Sequence, residues 1–186
     1  LIVLVRLPHN VDTLKTQRQV EQIHNTKLTL DDVLGVNLPP DPGEEADKTI
    51  AGVDANGNGI RDDVELAIFK EYPNSAKTRA VLLQYALALQ MEVVQPIVNK
   101  GTVTAVVSEQ SRADACIADT LVPRKSLESY RDNAEIEEID KYINFVKDRQ
   151  LNTDIREKER SDFFKQLGSY HSLDSICDID YTTLPN

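Results

Sequence analysis

The chain of 186 residues predicts an all-α protein, a bundle of four to six helices led in by an irregular N-terminal arm. Apolar residues from position 62 onward recur at spacings of three and four, the repeat that gathers them on one helix face. Capping and terminating residues fall between those stretches at helix-like intervals. Ahead of them, Leu38-Pro39-Pro40-Asp41-Pro42-Gly43 removes backbone donors and disfavours helix before each proline. That run divides an arm at 1–43 from a helical domain at 44–186.

In the arm, the pattern predicts a helix over 12–25 with Val20 and Ile23 on one face, and Thr29 caps a short turn of helix that stops at Gly35. Residues 35–53 read as irregular. Asp62 and Asp63 open a helix that runs to Glu71, since acidic side chains suit a helix N-terminus, and Tyr72-Pro73 stops it. Asn74 or Ser75 caps a helix over 76–99, with Val81, Leu82, Tyr85, Leu89 and Val93 as its apolar face and Pro96 kinking or ending it. Past Gly101, Val103, Val106, Val107 and Ile117 predict a helix over 102–121 that Pro123 ends. Ile136, Ile139, Ile143 and Val146 stripe a helix over 134–150. Asn152-Thr153 caps a last helix, 154–167, with Gly168 just past its end. The tail from 169 to 186 has no strong periodicity.

Forty per cent apolar and 28% charged residues is ordinary globular usage rather than disorder. With no Trp and ten Phe and Tyr together, the core is built mainly from Leu, Ile, Val and Ala. The formal net charge of −10 repels phosphate backbones, and no basic cluster interleaved with aromatics offsets it, so neither nucleic acid nor an anionic membrane face is an expected partner. Another protein is the partner class left open. No apolar run approaches the roughly 20 residues of a spanning helix. The apolar start, Leu1 to Leu7 without a leading Met, reads as a remnant of signal-peptide processing, a first strand or vector-derived sequence.

Cys116 and Cys177 are the only cysteines. They suffice for one disulfide in an oxidising compartment, tying the tail to the middle of the chain; otherwise they are two small buried thiols. Their spacing excludes CxxC chemistry.

Chemistry concentrates at Asp54-Ala55-Asn56-Gly57-Asn58-Gly59-Ile60-Arg61-Asp62-Asp63-Val64-Glu65. Side-chain oxygens fall at loop positions 1, 3, 5, 9 and 12, with a glycine at position 6. Ca2+ takes roughly 6–8 oxygen ligands, and the chain turns sharply around it. The expected ligands are the side chains of Asp54, Asn56 and Asn58, the backbone carbonyl of Ile60, Asp62 directly or through water, and Glu65 in bidentate fashion. Gly59 permits a positive φ that a Cβ penalises. With carboxylates only at Asp54, Asp62 and Glu65, the site belongs with weak extracellular modules, whose dissociation constants run at roughly 10⁻⁴–10⁻³ M. A Gly/Asn turn leading into an Asp-capped helix is the ion-free alternative.

The pattern DxNxNGxxDxxE resembles an EF-hand loop, which implies calcium as the bound ion. Ile60 stands at position 7 with Arg61 at 8, where EF-hands place their hydrophobic residue at 8. Ile at 7 followed by Asp at 9 is closer to the thrombospondin type 3 calcium repeats. The longer run from Leu38 through Glu65 to Tyr72-Pro73-Asn74-Ser75 resembles a group of uncharacterised secreted bacterial proteins. That likeness implies export to the periplasm or beyond and brings no activity with it.

Other chemistries lack their signatures. Gly57-x-Gly59 sits among carboxylates that repel a phosphate, with no GK[ST] or GxGxxG frame. His9, His24 and His171 are scattered, without the spacing of a zinc site. There is no GxSxG elbow. Glu135, Glu137 and Glu138, near Lys141 and Lys147, read as a solvated helix face. The expectation is a non-enzymatic, exported calcium-binding protein whose ion is structural. The alternatives are a calcium-dependent adhesion or assembly subunit, marked by an exposed apolar patch near Ile60 or along 76–99, and a hydrolase with a structural calcium, marked by a polar cleft of perturbed carboxylates.

Overall fold

The computed structural model describes residues 7–126, 129–170, 173 and 175–185. They form α1 (Leu7–Asn25), α2 (Leu30–Leu34), α3 (Asp62–Glu71), α4 (Ala76–Val94), α5 (Lys100–Leu121), α6 (Asn133–Gln150) and α7 (Asp154–Phe164), with short 3-10 turns at Gly43–Asp47 and Tyr181–Thr183. No strand occurs among the described residues. The architecture is all-α: α3–α7 form the bundle, and α1 and α2 belong to the arm.

Local chemistry sets the helix starts. Thr29 accepts from the Asp32 N–H while Asp32 caps it in return, and Gly35, at φ 72°, closes α2 in the left-handed region. Ser75, rather than Asn74, caps α4 through the Thr78 N–H, Asp132 and Glu135 form a capping box on α6, and Thr153 caps α7 through the Arg156 N–H.

Two helix ends fall short of expectation. The 76–99 helix stops at Val94, because the residue before Pro96 is pushed to an extended conformation and Gln95 adopts ψ 122°. The last helix ends at Phe164 rather than 167; there Gln166 and Leu167 donate three residues back, to Phe163 and Phe164, which tightens the chain out of the α-helical ladder.

α4 is the axis of the bundle, packed against α2, α3, α5, α6 and α7. The apolar face read from sequence is buried, but so is nearly every residue from Thr78 to Val93, whichever way it points. The polar residues on this helix survive burial because each has a distant partner. Arg79 donates to the carbonyls of Val33, Tyr72 and Pro73; Gln84 donates to Ile176 O and accepts from Asp178 N; Gln90 donates to Ala51 O; Glu92 accepts from Arg160.

The arm enters the same core through Ile23, Leu28 and Val33, with α1 lying along α5. On α6, Ile139 and Val146 are buried and Ile143 is partly so, whereas Ile136 is 46% exposed at the helix's first turns. The expected stripe is therefore one residue shorter. Cys116 of α5 and Cys177 of the tail are joined in a disulfide. No helix among the described residues is long and apolar enough to cross a membrane.

Candidate metal centre

The 54–65 segment is a closed loop held by its own polar side chains, leading straight into α3. Asp54 Oδ1 accepts from the N–H groups of Gly57 (2.8 Å) and Asn58 (3.1 Å), and its Oδ2 from Gly59 (2.9 Å). Asn56 Oδ1 accepts from Asn58 N (3.2 Å) and Asn58 Oδ1 from Ile60 N (2.9 Å). Asp62 accepts from Ala55 N through both carboxylate oxygens, at 3.0 and 3.2 Å, and its own N–H returns to Val53 O at 2.9 Å. The side chains at positions 1, 3, 5 and 9 thus curl the backbone around themselves. Gly57 and Gly59 adopt φ 75° and 85°, and a Cβ on Gly59 would stand 2.8 Å from Leu87 Cδ1 on α4. At this position glycine meets two needs, a positive φ and close contact with the bundle.

Glu65 reaches back from the first turn of α3. Its Oε2 accepts from Asn56 Nδ2 at 3.1 Å, and Asn56 also donates to Asn37 O in the arm at 3.1 Å. Glu65 is 1% exposed and Asp62 is 0% exposed. Burial pushes the Glu65 carboxyl up to about 7, with the Asn56 and Asn58 amides opposing and Asp32 and Asp62 adding repulsion. Burial also raises Asp62, opposed by the Ala55 N–H and reinforced by Asp54 and Asp63. The hydrogen bonds that reach the two carboxylates come from the Ala55 N–H and the Asn56 amide. The Asn58 Nδ2 is buried without a hydrogen-bond partner.

All donors here are oxygens, the set that suits a hard cation such as Ca2+ and not zinc. No three Asp, Glu, His or Cys side chains converge into a ready cage among the described residues. A cation held here draws on amide and backbone oxygens beside the three carboxylates. The residues fit such an ion in donor type alone: two buried carboxylates and one exposed one, with the Asn56 and Asn58 amide oxygens, lie along a single turn of chain.

The structure assembles the six residues picked from sequence into one loop, with the side chain of Ile60 turned into the core at 0% exposure. It also adds residues that sequence reasoning missed. Arg61 is fully buried: Nε and Nη2 donate to the two Asp63 carboxylate oxygens at 3.0 and 2.6 Å, and Nη1 donates to Gln150 O at 3.0 Å. The visible signal was a charge at position 8 where EF-hands carry an apolar residue. Arg156 of α7 and Asp47 gave no signal, since a basic residue on a helix rich in Lys and Arg reads as solvated. No helix enters the loop; the 3-10 turn Gly43–Asp47 and an irregular, bent lead-in take its place.

Elsewhere, His24 Nδ1 lies 2.7 Å from Glu109 Oε1, and the side chains of His9 and His171 fall outside the described residues. Glu137 and Glu138 are exposed, while Glu135 serves as the α6 cap. Ile60 and α4 from Thr78 to Val93 are buried, so along 76–99 the exposed apolar side chains are Val94 and Val98 past the buried stretch. Exposed apolar side chains also include Leu30, Leu34, Val36 and Leu38 of the arm. Surface hollows of about 320, 450 and 520 Å3 lie at the α6–α7 corner, beside His24 and Arg112, and beside Tyr72 and Tyr142. Glu65 lines none of these, nor do Glu92 and Asp114, the other carboxylates pushed up to about 7 and about 6. No protein-family model, curated protein or solved structure matches the chain.

Proposed function

We propose that this chain is an exported, calcium-binding helical protein in which the ion is structural, held by Asp54, Asn56, Asn58, the Ile60 carbonyl, Asp62 and Glu65. One observation carries the reading: Asp62 and Glu65 are buried beside Asp54, and the donors bonded to them are the Ala55 N–H and the Asn56 amide, while the Arg61 guanidinium is turned to Asp63. Burying charge without a partner costs several kcal/mol unless the group protonates or gains a counter-ion. A divalent cation inside the turn removes that cost and converts a repulsive cluster into a staple between the arm and α3. The Asn56 bridge to Asn37 O carries that staple into the arm.

Export is supported by the Cys116–Cys177 disulfide and by the absence, among the described residues, of a membrane-crossing helix. A site with three carboxylates suits the millimolar calcium of such a compartment. A second reading, a calcium-dependent assembly or adhesion subunit, is favoured by the exposed Leu30, Leu34, Val36 and Leu38 flanking Asn37. A calcium-dependent change in sedimentation coefficient shifts the weight to it.

The test is thermal unfolding of the non-reduced protein in EDTA and across calcium, with an Asp54→Ala/Glu65→Ala variant. A calcium-dependent rise in Tm that the variant lacks supports the site. Identical melting of both proteins with and without calcium rejects it.

A further inference from the structure

The lead-in to the loop, residues 46–53, is neither a helix beyond Asp47 nor a strand, yet its carbonyls are taken one after another by partners far away in sequence. Arg156, fully buried at the first turns of α7, donates through Nη2 to Ala46 O (2.6 Å) and Thr49 O (2.9 Å) and through Nε to Ile50 O (3.0 Å). Its Nη1 reaches Asp47 Oδ1 at 2.6 Å and Asn152 Oδ1 at 2.5 Å. Gln90 of α4 takes Ala51 O at 2.8 Å, and the Asp62 N–H takes Val53 O at 2.9 Å. Gly52, at φ 69°, has no room for a side chain: a Cβ would lie 3.0 Å from Arg61 Nε and 3.1 Å from Ala46 O.

A planar guanidinium is suited to this task. It is always charged, holds its donors in a fixed fork and serves several carbonyls at once, which an ammonium on a flexible stem cannot do. In a helix-loop-helix site the entering helix fixes the direction in which the first ligand arrives. Here the chain arrives through an irregular bend closed by Gly52 N–H on Thr49 O, and the fork of Arg156 replaces the missing rigid element. The same guanidinium, through Asn152 and Asp47, also touches the network of Arg61, whose Nη1 lies 3.3 Å from Asn152 Oδ1. The loop is therefore gripped at both ends by the α6–α7 corner, which contributes no ligand of its own.

We propose that Arg156 is a positioning residue for the 54–65 calcium site: it presets the approach of Asp54, and ion binding and the order of the α6–α7 corner are coupled through it. This rests on the calcium reading of the loop. Coupling of this kind is reciprocal, so calcium steadies the corner as the corner sharpens calcium binding.

The test has two arms. In the first, calcium dissociation constants are measured by titration calorimetry on wild type, Arg156→Met, Arg156→Lys and Asp47→Asn, each checked for native helicity. Arg156→Met weakens binding about tenfold or more, with Arg156→Lys and Asp47→Asn between it and wild type. Arg112→Met, which breaks a buried ion pair remote from the loop, leaves the constant within about twofold. In the second arm, hydrogen exchange on wild type alone reports the amides of 152–158, which slow when calcium is added. Equal calcium affinity in folded wild type and the Arg156 variants overturns the positioning role and leaves the site standing. Equal weakening by Arg112→Met reduces it to general destabilisation and overturns it too. Absence of calcium binding by wild type overturns the site itself and the coupling with it.

Discussion

At the contact between α5 and the tail, Glu109 and Asp178 are buried among Lys27, His24 and Arg112, whereas at the 54–65 loop Asp62 and Glu65 are buried against an N–H and an amide, with Arg61 turned to Asp63. Glu109 accepts from Lys27 Nζ at 2.5 Å and from Arg112 Nε and Nη2 at 3.0 and 2.9 Å, and Arg112 also pairs with Asp178. Burial raises the Glu109 carboxyl, but the hydrogen bonds from Lys27 and His24 and the Arg112 charge outweigh it and hold the group below its ordinary value. At Glu65 burial wins and the group rises to about 7. Similar burial with the opposite outcome isolates the variable: the tail cluster's cations bond directly to its buried carboxylate, whereas the loop's own cation, Arg61, is turned to Asp63.

The contrast breaks most visibly at Arg112. Arg112→Met takes from two buried carboxylates the guanidinium they share, and removing one partner of a buried pair costs about 3–5 kcal/mol, here lessened by Lys27 and His24. Urea unfolding in EDTA and in calcium is expected to show the same loss in both, because the cluster is complete without an ion.

Glu65→Gln probes the other side and reverses sign with conditions. In EDTA at about pH 8 it stabilises the protein, since a neutral amide replaces a desolvated carboxylate while keeping an acceptor for Asn56. In about 10 mM calcium it destabilises relative to wild type by about 1–3 kcal/mol, the linkage expected for a site in the weak extracellular range. Chemical denaturation in the two buffers reads both; loss of stability in EDTA as well as in calcium sinks the assignment.

A further effect, away from the loop, is on pH dependence. Glu92, buried on α4 with Arg160 against it and Lys147 and Asp114 nearby, is pushed up to about 7 by burial, and Asp114 to about 6. Their folded values lie above their unfolded ones. The folded state therefore holds protons that the unfolded state has released, and stability falls as pH rises from about 4.5 to 7. Each such group contributes a slope of at most about 1.4 kcal/mol per pH unit. Urea midpoints across that range in EDTA are expected to decline, and Glu92→Gln flattens the decline without touching the loop.

Much of the fold is legible in the sequence because its signals are local. Thr29, Ser75 and Thr153 cap helices where their neighbours' N–H groups are orphaned, Gly35 ends α2, and Pro96 limits α4. Where competition between local rules decides, the reading drifts: α7 loses its last turn to three-residue-back bonds that no side-chain pattern announces. Burial on every side of α4 is invisible to periodicity, since Gln84, Gln90 and Glu92 look solvent-facing until Ile176, Ala51 and Arg160 meet them. The loop's donor set is legible because it is contiguous. Its charge balance is not, because that depends on which cations stay away.

By itself the sequence determined the helical class, the order of the helices, the cysteine pair able to bridge, and a run of oxygen donors curled around two glycines. All of these act over a few residues, where steric and hydrogen-bonding rules suffice. Only the tertiary structure decided what partner each carboxylate keeps: Glu109 gains the Lys27 ammonium across 82 residues, while Glu65 gains the neutral Asn56 amide. Likewise, Arg156 reaches the lead-in across as many as 110 residues. Electrostatic compensation in a protein interior is a property of three-dimensional neighbours, and a chain read in order contains the charges without their distances.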